Sequence, residues 1–377
     1  MKELTTLHIG YDAKRAYFNR SGLGNYSRDL IRIMSHYLPH NQYLLFKHKD
    51  LNPLNFEIED NTRIILPHNA FYTKMGSLWR SYGMSQSIKQ STLDIYHGLS
   101  QELPIGIEKT GVKSVVSIHD CIFLRYPELF DLSYRIIFKK KYQHACEKAD
   151  RIIAISEQTK RDIIHYFKVP QEKIDVVYQG CNRAFYEEQS AKAKAKIKAK
   201  YQLPDEFILN VGTIEERKNV LSIFKAIAQE NIDIPVVVIG RETDYAKKVK
   251  QYVKKQNLKA QFIHDADFAD FPAIYQQASI FAYPSLFEGF GIPILEALNS
   301  GTPVITTAGG VFPEVGGDAA QYVKYGDTNE MAQALISLLN DPQLRAKLAL
   351  EGKKQALKFR EKEIAEHLMN VYHKALS

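Results

Sequence analysis

Along the chain, short runs of β-branched and aromatic residues alternate with longer stretches whose apolar positions recur every three to four residues. That is the pattern of parallel strands joined by crossover helices. It predicts strands at residues 7–11, 43–46, 63–66, 94–97, 114–118, 152–155 and 174–178. A second series follows at 207–211, 236–239, 261–264, 280–283, 304–306 and 321–323. Two such series, each interleaved with helical stretches, read as two doubly wound α/β domains. Between them residues 191–200 alternate alanine and lysine, both strong helix formers, and read as a mostly solvated linker helix. From about Asp341 the chain is helical, and Ile364, Leu368, Val371, Tyr372 and Leu376 make one apolar face suited to packing back onto the first domain.

Length agrees with two cores, since 377 residues exceed what one core usually holds, and 45% hydrophobic with 25% charged residues excludes a disordered or fibrous chain. Charge adds a direction. The formal net charge is +7, and residues 1–180 hold 25 basic and 19 acidic side chains, so +6 lies there and +1 in the remainder. Such an excess suits an anionic ligand, a membrane surface or nucleic acid without choosing among them. Cys121, Cys146 and Cys181 are widely spaced and lack a metal or redox pattern, so they read as reduced, buried thiols. Residues 1–6 run into a strand without the apolar region of a secretory signal, and no apolar run is long enough to span a bilayer. The expected location is the cytoplasm, at most on a membrane face.

Open parallel sheets bind ligands beyond the carboxyl ends of their strands, so chemistry is sought in those loops. After the first strand, Gly22 and Gly24 stand in a loop expected to lead into a helix near Tyr26, where they would open backbone N–H groups to an anion, phosphate above all. Ser27 takes the place of the third glycine of a dinucleotide fingerprint, so that signature is absent. The first loop of the second series holds Arg217 and Lys218. Two cations at a helix start oppose its dipole and point to an anion between them, unless Glu215 and Glu216 pair with them. Richest is Phe287-Glu288-Gly289-Phe290-Gly291-Ile292-Pro293-Ile294-Leu295-Glu296, with glycines before a proline-started helix, one carboxylate in the loop and one in the first turn. In the first half, His119 ends a buried strand and fits a core histidine as well as a ligand contact. Asp265 and Asp267 have no further ligand cluster beside them and indicate no metal.

Glu288 and Glu296 with seven residues between them, Gly301-Thr302-Pro303 and Pro313-Glu314 after them, and Gly22-Leu23-Gly24, Ile118-His119-Asp120 and Arg217-Lys218 before them resemble the retaining GT-B transferases of glycosyltransferase family 4. Residues 97–104 are similar to bacterial mannosyltransferases that build surface polysaccharides. The resemblance implies two Rossmann-like domains facing a central cleft. Residues 1–185, rejoined by a helix at 360–377, would form the acceptor side, and residues 186–359 would bind a nucleotide-sugar donor. It implies Arg217 and Lys218 on the diphosphate and Glu296 on the ribose hydroxyls. Glu288 and the N–H groups of Gly289, Phe290 and Gly291 would hold the transferred sugar, with Ile292 completing that donor-binding stretch. Gly22 and Gly24 would meet the phosphates from the other domain, and His119 would stand at the sugar near the reacting carbon. Thr213 occupies a position where many members carry an arginine, and Arg217 substitutes for it in this reading.

The expected activity is metal-free transfer of a hexose with retention, mannose from GDP-mannose first and a UDP-sugar second, to a glycan or lipid-linked glycan. No cofactor and no nucleic-acid partner is expected. Lys139-Lys140-Lys141, beside Tyr134, Ile136, Ile137 and Phe138, adds an anionic membrane surface as a further partner. The competing readings are a sugar-nucleotide epimerase and a non-catalytic nucleotide-sugar binding partner.

Overall fold

In the computed structural model, which describes residues 6–377, the strands of the first series pair in parallel into one seven-stranded sheet. They are β1 (His8–Asp12), β2 (Gln42–Phe46), β3 (Thr62–Ile65), β4 (Ile95–Gly98), β5 (Lys113–Ile118), β6 (Arg151–Ala154) and β7 (Ile174–Val176), in the order β3-β2-β1-β4-β5-β6-β7. The second series forms a six-stranded parallel sheet from β8 (Ile208–Val211), β9 (Val236–Ile239), β10 (Ala260–Ile263), β11 (Ile280–Tyr283), β12 (Val304–Thr307) and β13 (Ala320–Val323), in the order β10-β9-β8-β11-β12-β13. Residues 1–5, on which the reading of the N-terminus rests, lie outside the described residues.

Both sheets are doubly wound, and the strand order reverses between β1 and β4 in one and between β8 and β11 in the other. At such a point neighbouring connections leave toward opposite faces and open a crevice at the carboxyl ends of the strands. The central strands carry helices on both faces, which is why they are apolar throughout: β8, β9, β11 and β12 are buried at every position. The edge strand β10 is only partly buried along its length.

The chain divides into two compact units, one running up to Gln179 and resuming at Arg360–Ser377, the other Gly180–Phe359. Residues 180–185 fold with the second unit because Cys181 and Phe185 are buried there. The Asn299 amide lies 3.3 Å from Cys181 Sγ, and the Phe185 ring packs edge-on against Tyr275. The alanine–lysine stretch is a helix, Ala191–Tyr201, but it belongs to the second unit. Ile197 is buried, Lys200 pairs with Asp270 at 2.6 Å, and Lys194 and Lys198 pair with Glu188 and Asp205.

The last helix, Glu361–Leu376, joins the first unit. Ile364, Leu368, Val371 and Tyr372 are buried, whereas Leu376 is exposed and Ala365 and Ala375 complete the packed face. Tyr372 is tied in by hydrogen bonds to His97 Nδ1 (2.8 Å) and the Tyr11 hydroxyl (3.1 Å). At the other end of the helix, Arg32 grips the buried carboxylate of Glu361 through both terminal nitrogens.

Candidate active site

The two loops that leave β8 and β11, on either side of the reversal in the second sheet, carry the charged residues singled out above. The β8 loop closes tightly. A Cβ at Gly212, where φ is +137°, would lie 2.7 Å from Lys218 Nζ, and one at Gly240 would lie 1.9 Å from the Gly212 carbonyl oxygen. Glycine at both places lets Lys218 fold back toward the end of the sheet.

Glu288 sits at the centre of this arrangement. Its Oε1 accepts hydrogen bonds from the hydroxyls of Tyr283 (2.7 Å) and Ser285 (3.1 Å), and it pairs with Arg217 Nη1 at 2.8 Å and Lys218 Nζ at 3.8 Å. Burial pushes this carboxyl up, but Lys218 and Arg217 outweigh burial and hold it below the usual carboxylate range, so it is ionised. All these contacts fall on Oε1, and Oε2 has no protein partner among the described residues.

The two cations have different duties. Arg217 also donates to the Phe287 carbonyl and, at 2.6 Å, to Glu215, while its own carbonyl accepts from Leu286 N–H at 2.8 Å. It therefore clamps the β11 loop to the β8 loop. Lys218 donates to the Tyr283 hydroxyl at 3.0 Å and, farther from Glu288, keeps donor capacity for an anion.

Gly291, with φ at +104°, starts the helix Ile292–Ser300, and the N–H groups of Gly291 and Ile292 have no protein acceptor among the described residues. The Phe290 ring is buried edge-on against Phe359 at 5.5 Å, so this residue offers backbone rather than side chain. Glu296 lies just past the first helical turn and is buried. Its Oε2 accepts from the Tyr275 hydroxyl at 2.9 Å. Burial pushes its carboxyl up to about 8 against the pull of Tyr275 and Lys218.

In the first unit the helix Gly22–Tyr37 begins at Gly22, earlier than Tyr26, so the glycine pair forms its first turn and not a loop. A Cβ at Gly24 would lie 1.9 Å from the Asn19 carbonyl oxygen, whereas one at Gly22 would meet nothing within 4 Å. Gly24 is thus required by the chain's own backbone, and Gly22 is the one a ligand can reach.

His119, just after β5, combines both readings given above. Its Nε2 donates to the Leu99 carbonyl at 2.9 Å and its ring stands edge-on to Tyr26, as in a core histidine. A carbonyl only accepts, so the proton is on Nε2, and Nδ1 is left as a lone-pair acceptor without a protein partner among the described residues. Burial lowers its pKa to about 4 despite the Leu99 bond, with Arg15 adding to the shift, so the ring is neutral at pH 7.

Sequence reasoning missed several residues here. Tyr283, Ser285 and Tyr275 position the two glutamates, yet in sequence they are ordinary strand and helix residues. It also missed a charged network at the carboxyl end of the first sheet. There Arg80 pairs with Asp12, with Glu102 at 2.8 Å and with the Ser100 hydroxyl at 3.0 Å, and Lys141 reaches the other Glu102 oxygen at 3.2 Å. Beside it Lys14 and Arg15 form no ion pair among the described residues, and Arg15 Nε is buried without a partner. Burial and the nearby Arg80 lower the pKa of both. Among the described residues no three His, Cys, Asp or Glu side chains cluster so as to hold a metal.

Two family models, each over one half, match the chain. The family model described as Glycosyltransferase Family 4 matches residues 21–185, and the one described as Glycosyl transferases group 1 matches residues 192–355. The O-antigen chain mannosyltransferase B of Escherichia coli is 26% identical over 285 residues, 74% of this chain and 74% of that protein. The O-antigen chain mannosyltransferase RfbU of Salmonella typhimurium is 28% identical over 225 residues, 59% of this chain and 60% of that protein. Among solved structures, Anabaena Alr3699/HepE in complex with UDP and glucose superposes with a TM-score of 0.73 over 97% of this chain and 98% of that one, at 19% identity, a likeness of fold. With both halves matched and both sheets in place, the chain belongs to glycosyltransferase family 4 and is a glycosyltransferase of the GT-B fold.

Proposed function

We propose that the chain transfers a hexose, with retention, from a nucleoside-diphosphate sugar to a glycan or lipid-linked glycan, at the cytoplasmic side and without a metal or cofactor. One observation carries this reading: an ionised, buried Glu288 is held on one oxygen by Arg217, Tyr283 and Ser285 beside Lys218 and an open helix N-terminus. As the glycosidic bond to the diphosphate breaks, negative charge grows on the leaving phosphate and positive charge on the sugar. Lys218 and the N–H groups of Gly291 and Ile292 oppose the first, and Glu288 the second. The unoccupied Oε2 accepts from sugar hydroxyls, Glu296 accepts from the ribose, and neutral His119 offers Nδ1. Because Glu288 is fixed by its partners as a hydroxyl acceptor, we favour attack from the leaving-group face, with the acceptor's proton passing to a diphosphate oxygen.

Mannose is favoured by the two mannosyltransferase relatives, GDP as its carrier follows only from the family resemblance of the sequence, and a UDP-sugar is the second choice because the HepE structure holds UDP and glucose. Glu288→Gln and Lys218→Ala are each expected to slow transfer by about tenfold or more, as losing a preorganised charge does. Near-normal rates in both purified variants would overturn the reading. Transfer is expected to survive a chelator, and a loss restored only by divalent ions would contradict the metal-free part. A thermal-shift panel of nucleotide diphosphates separates the GDP and UDP choices, since the ligand that binds the native state raises its midpoint.

A further inference from the structure

A buried chain of hydrogen bonds in the first unit runs from the last helix to the side of His119. It begins at Tyr372, whose hydroxyl donates to the Tyr11 oxygen at 3.1 Å and lies 2.8 Å from His97 Nδ1. His97 Nε2 is 2.8 Å from the Ser117 hydroxyl, which in turn is 2.7 Å from the Tyr26 hydroxyl. All five residues are buried, and they come from β1, the helix Gly22–Tyr37, β4, β5 and the last helix. A core has no need of such a chain, since apolar side chains would fill the same space without the cost of desolvating polar groups.

The direction of every bond follows from the first. With its own proton on the Tyr11 oxygen, Tyr372 can only accept from His97, so the His97 proton sits on Nδ1. Burial and the neighbouring His119 lower the His97 pKa to about 3, so the ring is neutral and carries that proton alone. Its Nε2 is then a lone pair, to which Ser117 donates, and Tyr26 donates to Ser117. Both nitrogens of His97 are engaged, and the ring is held in its plane. Reversing any one donor would set two protons or two lone pairs against each other inside the core.

This chain meets His119 at two places. Tyr26 stands edge-on to the His119 ring, with centroids 4.4 Å apart. Leu99, two residues past His97 and just beyond the end of β4, offers the carbonyl that takes the Nε2 proton of His119 at 2.9 Å. From this continuity we infer that Tyr372 is a positioning residue for the candidate site. Acting through His97, it fixes the Tyr26 ring and the Leu99 carbonyl, so that His119 keeps its proton on Nε2 and presents Nδ1 as an acceptor. In giving that Nδ1 a ligand, the inference rests on the proposed function; the polarity of the chain does not.

Side-chain nitrogen NMR of the histidines in the full chain, without substrate, tests the polarity. His97 is expected as the Nδ1–H tautomer and His119 as the Nε2–H tautomer, and in both Tyr372→Phe and Ser117→Ala the His119 signals should move together with those of His97. An Nε2–H tautomer at His97, or His119 signals that stay put in both variants, overturns the inference. Kinetics then separate positioning from packing. Well below their melting midpoints, both variants should lower kcat about fivefold or more while donor KM changes less than about twofold. Added to His119→Gln, each should cost less than about twofold more, because its effect passes through that ring. A loss of melting midpoint with kcat unchanged, or losses that multiply in the double variants, would show a purely structural chain. If the nitrogen signals move as expected while the parent consumes no nucleotide sugar, the proposed function alone fails.

Discussion

A buried carboxyl whose recorded hydrogen bond is to a phenol, as Glu296 is held by Tyr275, keeps its proton until about pH 8. Its ordinary value is 4.5, so between those limits the native state binds a proton that the unfolded chain has released, and stability falls as pH rises through that window. Glu296→Gln has no such proton, and its denaturant midpoint should decline less than the parent's between about pH 5 and about pH 8. Equal declines would show that Glu296 does not carry the slope. Ribose hydroxyls donate to a carboxylate and favour its charged form, so nucleotide binding at neutral pH should release a proton. Calorimetric enthalpies that vary with the buffer's ionisation enthalpy check this, and buffer-independent values would contradict it. At this scale the sequence showed the ionisable residues but not their pairing. Glu288, Glu296, Arg217 and Lys218 stand out because charge beside glycine at a helix start is locally costly. That Arg217 clamps the loop of Glu288 depends on β8 and β11 lying side by side, which no local spacing reveals, whereas Tyr283 and Ser285 reach Glu288 within β11 and its own loop and depend on how that loop folds back.

Helix starts were the least legible elements. The helix Gly22–Tyr37 is opened by two glycines, which read as a loop and masked the one local start signal, Ser21 at the N-cap position, whose side chain makes no cap hydrogen bond. The structure separates the glycines by experiment. Gly24→Ala forces a Cβ into the Asn19 carbonyl and should cost about 2 kcal/mol or more in unfolding free energy. Gly22→Ala meets open space and improves helix propensity, so its melting midpoint should hold or rise while its donor KM increases if phosphates approach there. Strands were far easier to read. A parallel strand covered on both faces, such as Val236–Ile239, must be a short apolar block, and all thirteen predicted blocks appear in the two sheets. The helical stretch 70–83 was expected only as one of the connections between strands, because its outward residues are apolar and remove the alternation that a period search needs.

At the scale of the whole molecule, each unit has its own core, one around Trp79, Val116 and Ile152, the other around Phe224, Val238 and Leu335. If, as proposed, a nucleoside diphosphate engages chiefly residues of the second unit, calorimetry should resolve two transitions and show the larger upward shift in one of them, by about 2.7 kcal/mol at a hundredfold excess over Kd. A uniform shift of a single transition would mean that the units unfold as one block. Leu368→Ala, in the last helix, should instead lower the other transition, by about 2–5 kcal/mol.

That helix also sets an order of assembly. Residues 180–359 are contiguous, whereas the first unit must wait for residues 360–377, which leave the ribosome after the whole of the second. Until then a nascent chain displays the bare apolar seat of Ile364, Leu368 and Val371, with Tyr11 and His97 lacking the hydroxyl that later joins them. The part of the protein made first is therefore finished last, and during that interval it is the segment most in need of a chaperone.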